Sequence, residues 1–229
     1  MDNCENNIIS DLTITGGGTV ENGGGMLLLG SDPLVKHITV TNNISYSNGG
    51  GIYLNESNPL FNHITIINNT SYSNGNGGGI YLNGSNPILS HVTISHNTSN
   101  DGGGIHSRSS NPTLTHVTIS HNISNEGQGI LLYDSNLILT NSIIWHNIHC
   151  HDGWCHDSIY LVGDANELTI TYNNIEGGWY GVGNIDSAPL FINPENANYT
   201  LQEGSPCIDA GTIIKGIEYF GIAPEYGGL

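Results

Sequence analysis

The densest set of reactive side chains in this chain lies between His149 and Asp157. His149, Cys150, His151, Asp152, Cys155, His156 and Asp157 put seven ligand-type groups into nine residues. Imidazole nitrogens and thiolates are borderline-soft donors of the kind that hold zinc. The Cys-x4-Cys spacing equally permits a disulfide closing a small loop. The two states exclude each other, because a disulfide leaves no thiolate for a metal. In an exported protein the bridge Cys150–Cys155 is the expected state, and it would hold Trp154 in one pose. The zinc alternative uses Cys150, Cys155 and two of His149, His151 and His156, with Asp152 beside them.

Other chemistry-bearing residues recur at a distance. His37, His63, His91 and His116 form one series, ending at Asn141, and His96, His121 and His146 form another. If the recurrences stack, neighbouring imidazoles could share a transition-metal ion. They could equally fill a polar corner, and a stacked set should resist full protonation. A third series is Leu27, Tyr53, Tyr81, His106, Leu131 and Tyr160. Stacked exposed rings bind sugar faces, burying C–H groups while the hydroxyls stay wet; the alternative is packing between strands. A fourth series pairs Thr13/Thr15, Thr39/Thr41, Thr65/Ile67, Thr93/Ser95, Thr118/Ser120 and Thr169/Thr171. This Thr-x-Thr array resembles the flat faces of β-helical ice-binding proteins, with Ile67, Ile143 and Trp145 as interruptions.

Catalytic groups are sparse. Lys36, Arg108 and Lys215 are the three basic residues against 20 acids, a formal charge of −17. Cleavage of acidic polysaccharides needs an Arg or Lys base, or two or three close carboxylates with split roles. Arg108 and Asp134, one repeat apart, are the best acid–base candidates by position, and an isolated pair of this kind is more often a surface contact. The expectation is a chain without catalysis of its own, with a polysaccharide lyase or glycoside hydrolase as the rival class. The acidity argues against a nucleic-acid partner, which needs a cationic footprint, and suits divalent cations such as Ca2+. No apolar run is long enough for a transmembrane helix. The polar start, Met1-Asp2-Asn3-Cys4-Glu5, is no signal peptide, so an export signal is expected outside this sequence.

What must position these residues is a repeat. Gly49-Gly50-Gly51-Ile52-Tyr53-Leu54 opens a unit that ends at Asn69, and Gly77–Asn97 and Gly102–Asn122 repeat it. Gly23–Asn43 is an earlier copy and Gly127–Asn147 a looser later one. Marked by their last residue, the units end at Asn43, Asn69, Asn97, Asn122, Asn147 and Asn173, in steps of 26, 28, 25, 25 and 26. A fixed period of this size means a solenoid, in which each unit buries its apolar face only against its neighbours. Three short apolar stretches per unit, alternating with Thr and Ser and separated by Gly, Asn and Pro, read as strands and turns. The pattern predicts an all-β, single-stranded right-handed parallel β-helix with about 25–28 residues and three short strands per coil. The terminal Asn side chains would bond to one another from coil to coil. Coils are expected over residues 1–176, with an inserted loop at 148–158, and further coils or a covering segment over 177–229.

The repeated unit resembles the coils of bacterial secreted and surface right-handed parallel β-helix proteins, including the polymorphic outer membrane and pectate-lyase-like groups. Gly183-Asn184-Ile185-Asp186-Ser187-Ala188-Pro189-Leu190-Phe191 and the stretch Tyr199–Gly211 are similar to the C-terminal segment of choice-of-anchor Q proteins. The resemblance implies an extracellular or cell-surface location, an adhesin-type scaffold and a polysaccharide or cell-surface glycan as partner.

Overall fold

A computed structural model describes residues 1–2, 5–18, 20–72, 74–147, 150–151, 154–155, 158–163 and 167–213. Two parallel sheets form the wall of a solenoid. The first, sheet A, stacks Met26–Leu29, Ile52–Asn55, Ile80–Asn83, Ile105–Arg108, Ile130–Tyr133 and Ile159–Val162 in chain order. Sheet B stacks Glu5–Thr15, Asp32–Thr41, Leu60–Ile67, Ile88–Ser95 and Thr113–Ser120, followed by shorter strands. Pairing is parallel throughout both, with equivalent residues of successive coils side by side, as at Ile52↔Ile80 and Ile105↔Ile130. A third, minor contact joins Ile44–Ser45 to Thr70–Ser71 and continues as single bridges at Thr98 and Ile123.

The sheet B strands differ from the expected three short strands per coil. The second and third apolar stretches merge into one run of eight to ten residues that bends at a left-handed residue: His37, His63, His91 and His116, each with φ between 51° and 55°. The bend turns the chain without breaking the ladder on either side. Inward residues such as Leu28, Val35, Val40, Leu54, Phe61, Ile66, Leu82, Ile94 and Leu132 make one continuous apolar core. No coil could bury them alone, which is why the period sets the fold.

Polar ladders tie the coils together. Asn43, Asn69, Asn97, Asn122 and Asn147 are wholly buried. The Nδ2 of Asn43, Asn69, Asn97 and Asn122 each donates at 3.0 Å to Oδ1 of the next one. The same Oδ1 accepts the backbone N–H of the preceding Asn, at 2.9–3.1 Å. Gly17 starts the column, donating its N–H to Asn43 Oδ1. A second ladder was not read from sequence. Ser31, Ser57, Ser85 and Ser110 each donate a backbone N–H to the hydroxyl of the next Ser, ending at Ser135. A third, exposed ladder runs along Asp32, Asn58, Asn86, Asn111 and Asn136. Buried amides and hydroxyls cost several kcal/mol when unpaired, so identical polar residues at one height are a low-energy solution.

Asn173 does not continue the Asn ladder. Thr140 pairs with Thr171, and Ser142 N–H donates to Asn173 Oδ1 over a separation of 31 residues. Asn173 therefore follows the open corner, in the column of Ile38, Ile64, Val92, Val117 and Ser142. It stacks on Asn184, whose Oδ1 accepts its N–H at 2.9 Å. The reason is chain length. After Ile159–Val162 pairs with Ile130–Tyr133, the next strand begins at Leu168, which pairs with Leu137 and not with Ile143.

Beyond Ile185, which still pairs in parallel with Asn174, the chain leaves the coil path. Phe191–Asn193 and Asn198–Leu201 form a short antiparallel hairpin. It laps over the outer face of sheet B, with Tyr199 on His96 and His121, and Thr212 bonded in both directions to Asn141.

Candidate functional site

The outer face of sheet B is flanked by two imidazole columns. The open column is His37, His63, His91 and His116, with ring centroids 5.3, 4.8 and 4.8 Å apart. The second column, covered at its first two members, is His96, His121 and the exposed His146, with centroids 5.1 and 5.3 Å apart. Every one of these seven residues has φ near +55°. Non-glycine residues tolerate that conformation best when they are Asn, Asp or His. Asp11, Asn141 and Tyr172 share the first column's corner, and Asn42 and Asn68 the second's. Backbone geometry thus explains much of why His recurs here, and the swapping of His with Asp and Asn was the sequence signal for it.

The two columns see different surroundings. In the open column the Nδ1 of His37 lies 3.5 Å from the Asp11 carboxylate, and the Nδ1 of His63 lies 2.6 Å from Asn62 Oδ1. His91 Nδ1 meets Ser90 Oγ at 2.9 Å. In the covered column Tyr199 places its hydroxyl over Ser95 and Ser120 and 3.5 Å from His96 Nδ1. Glu195 reaches to 3.8 Å from His121 Nε2. Burial lowers the pKa of His96 and of His121, and His121 is lowered further by its imidazole neighbours. Burial also lowers His116. Stacked rings at 2° and 6° keep their nitrogen lone pairs parallel, so His63/His91 and His91/His116 do not converge on one ion as they stand. Among the described residues no group of three His, Cys, Asp or Glu is arranged to hold a metal.

The aromatic column is not an open platform. Tyr53 and Tyr81 do stack, 5.3 Å apart at 8°, and His106 follows Tyr81 at 5.0 Å. Tyr81 is 6% exposed, however, and His106 8%, with Leu131 buried beside them. The segment before each corner glycine folds back over this face. A Cβ at Gly102, which has φ of +65°, would sit 2.6 Å from the Cβ of His106, so only glycine closes the corner so tightly. Burial takes the His106 pKa down to about 4, against a backbone hydrogen bond with Asp101 that raises it. Tyr53 and Tyr160 remain half-exposed at the two ends. An exposed aromatic pair lies elsewhere: Tyr46 and Tyr72, 53% and 49% exposed, follow the paired residues Ser45 and Ser71 on adjacent coils. The repeated Ser-Tyr-Ser-Asn at 45–48 and 71–74 was the available signal.

The Thr-x-Thr array is likewise covered in part. Ser95 and Ser120 are wholly buried under Tyr199, while Thr65, Thr93 and Thr118 stay half-exposed. Arg108 and Asp134 are not brought together. Arg108 is in register with Tyr133, and its guanidinium lies 5.6 Å from the centre of that ring. A cation–π contact of this kind is a structural use of the arginine.

At the insertion, His149, Asp152 and His156 lie outside the described residues, as do the side chains of Cys150, His151, Trp154 and Cys155. The backbone of Cys150–His151 pairs antiparallel with Trp154–Cys155, with Cys150 opposite Cys155. Cys207 is half-buried, and Asn174 Nδ2 donates to its Sγ at 3.0 Å. No described helix is long and apolar enough to cross a membrane.

Comparison with known proteins agrees with this architecture. Residues 37–55 match the Chlamydia polymorphic membrane protein repeat. Neither the curated proteins nor the solved structures give a match. Residues 62–202, more than half of the chain, match the right handed beta helix region, with their coils stacked in parallel register and tied by the Asn ladder. On that match the chain belongs to the right-handed β-helix family.

Proposed function

We propose that this chain is an exported, surface-displayed β-helix scaffold of the adhesin type, without catalysis of its own, that binds carbohydrate. The observation that carries the reading is where the polymorphic membrane protein repeat falls. Its 37–55 match starts at the His37 corner and takes in ladder Asn43, corner glycines 49–51 and the strand Ile52–Asn55. The similarity thus lies in the groups that build and stack a coil. The segments at 183–191 and 199–211 fit a choice-of-anchor Q protein within that class.

Within this reading the carbohydrate platform moves to the exposed rings Tyr46 and Tyr72, because Tyr81 and His106 are covered. Their backbones follow residues paired on adjacent coils, so the two exposed side chains can reach successive faces of one glycan.

Antibody labelling and protease shaving of intact cells expressing the full-length gene test the location, and signal only after lysis would refute it. A glycan array tests the ligand: Tyr46→Ala with Tyr72→Ala should lose at least tenfold in binding. Equal binding by that double variant would remove the carbohydrate part. Release of unsaturated or reducing ends from pectin, alginate or xylan would favour the lyase or hydrolase reading instead.

A further inference from the structure

We propose that His37 and His63 form a surface site for a borderline divalent transition metal such as Zn2+ or Ni2+, binding it through their two Nε2 atoms. Three observations carry the proposal. The first is the tautomer set by the neighbours of each ring. Asp11 faces Nδ1 of His37 at 3.5 Å, and Asn62 Oδ1 faces Nδ1 of His63 at 2.6 Å. Both partners are acceptors, so each Nδ1 carries its proton and each Nε2 presents a bare lone pair. Metal-binding histidines are oriented in this way, by an oxygen that takes the other ring N–H.

The second observation is the angle between the rings. His63/His91 and His91/His116 are parallel within 6°, whereas His37 and His63 are tilted by 47° at a centroid distance of 5.3 Å. Two nitrogens at about 2.0–2.1 Å from one tetrahedral ion lie roughly 3.3 Å apart. Stacked rings hold their lone pairs parallel and cannot meet that condition without turning. The tilted His37 and His63 rings are not locked in that parallel stack, and both side chains are exposed enough to turn their Nε2 atoms towards one ion.

The third is the corner itself. His37 and His63 are in register on adjacent coils, and their Cα positions are fixed by the pairs Lys36↔Asn62 and Ile38↔Ile64 on either side. The backbone holds the pair together before any ion arrives, which removes part of the ordering cost of binding. With two protein ligands the ion keeps open positions for water or for a group from another molecule. The formal charge of −17 favours cations generally, but Ca2+ prefers oxygen ligands and has no reason to choose these imidazoles.

The test uses the full chain carrying Cys150→Ser and Cys155→Ser, so that the insertion thiols take no part. Calorimetric titration with NiCl2 at pH 7.5 should show a site that His37→Asn or His63→Asn weakens at least tenfold. Asn is the residue the chain itself uses at this corner, at Asn141, so the left-handed backbone is kept. His146→Asn should leave the affinity within about twofold. Lowering the pH to 5.5 should weaken the site at least tenfold, because the ligands must be neutral. A measurement without substitution supports these: Ni2+ should shield His37 and His63 from diethylpyrocarbonate, read by mass spectrometry. Unchanged affinity in both Asn variants would overturn the proposal. So would equal labelling of His63 with and without metal, or displacement of Ni2+ by equimolar Ca2+.

Discussion

The two histidine columns share a residue type, a coil spacing and a left-handed backbone, yet one is open and the other is roofed. The open row is His37, His63, His91 and His116; in the other row His96 and His121 lie under Tyr199 and Glu195, while His146 at its end stays exposed beside Glu176. Their inner neighbours differ as well. Each open corner is followed by an apolar residue, Ile38, Ile64, Val92 or Val117, whereas the roofed corners are followed by ladder Asn97, Asn122 and Asn147. One row is thus held from inside by packing alone. The other is held by an amide ladder inside and a hairpin outside. The same αL corner can therefore be a surface feature or a docking point, depending on what the rest of the chain lays across it.

The inner contrast breaks most sharply at the ladder. Asn97→Ala removes two donated bonds, to Ile66 O and Asn122 Oδ1, and leaves the Asn69 N–H and amide without their acceptor. We expect a loss of about 4 kcal/mol, against about 2 kcal/mol for Val92→Ala at the matching position of the open row. Urea unfolding followed by circular dichroism measures both, and equal losses would mean that the ladder adds nothing beyond packing.

Acid is the next lever. His106 is the most shielded histidine, with a folded pKa of about 4 against an ordinary value of 6.5. The unfolded chain then binds the proton that the folded chain refuses. Stability is therefore full above about pH 6.5 and falls as the pH drops from there towards 4, by about 3 kcal/mol at most. His96 and His121, lowered by burial, act in the same direction. His106→Leu copies the residue at Leu131 of the same column and should flatten the pH dependence between 6.5 and 4. An unchanged slope would assign acid sensitivity to other groups.

Removing the roof should make the rows alike. Tyr199→Ala is expected to cost about 2 kcal/mol through lost burial and lost edge contact with Phe191. It should also raise the pKa of His96 and His121, read from their imidazole proton shifts. The smallest effect is the direct exchange. His121→Asn should cost about 1 kcal/mol, because the Tyr199 and Glu195 contacts go. His63→Asn should stay within about 0.5 kcal/mol, since Asn keeps the αL corner. Equal costs would mean that the hairpin does not rest on this row.

The amino-acid sequence by itself determined the solenoid, the inward-facing apolar columns and the Asn43–Asn147 ladder. Each repeats at a nearly constant interval, and stacking then follows from the need of every coil to bury its face on the next. It did not determine where the interval fails. Leu168-Thr169-Ile170-Thr171-Tyr172-Asn173 looks like the stretch that ends the earlier coils. Only the pairing of Ile159–Val162 with Ile130–Tyr133 placed it one corner earlier. The merged sheet B strands were hidden because a left-handed His bends a strand without interrupting its alternation. The cover over Tyr81 and His106 comes from corner glycines that look like any turn until their distance to the neighbouring strand is known. The roof over His96 and His121 comes from Glu195 and Tyr199, more than 70 residues further along the chain. Local periodicity carries no record of such contacts, because they depend on where the chain goes after the repeat has ended.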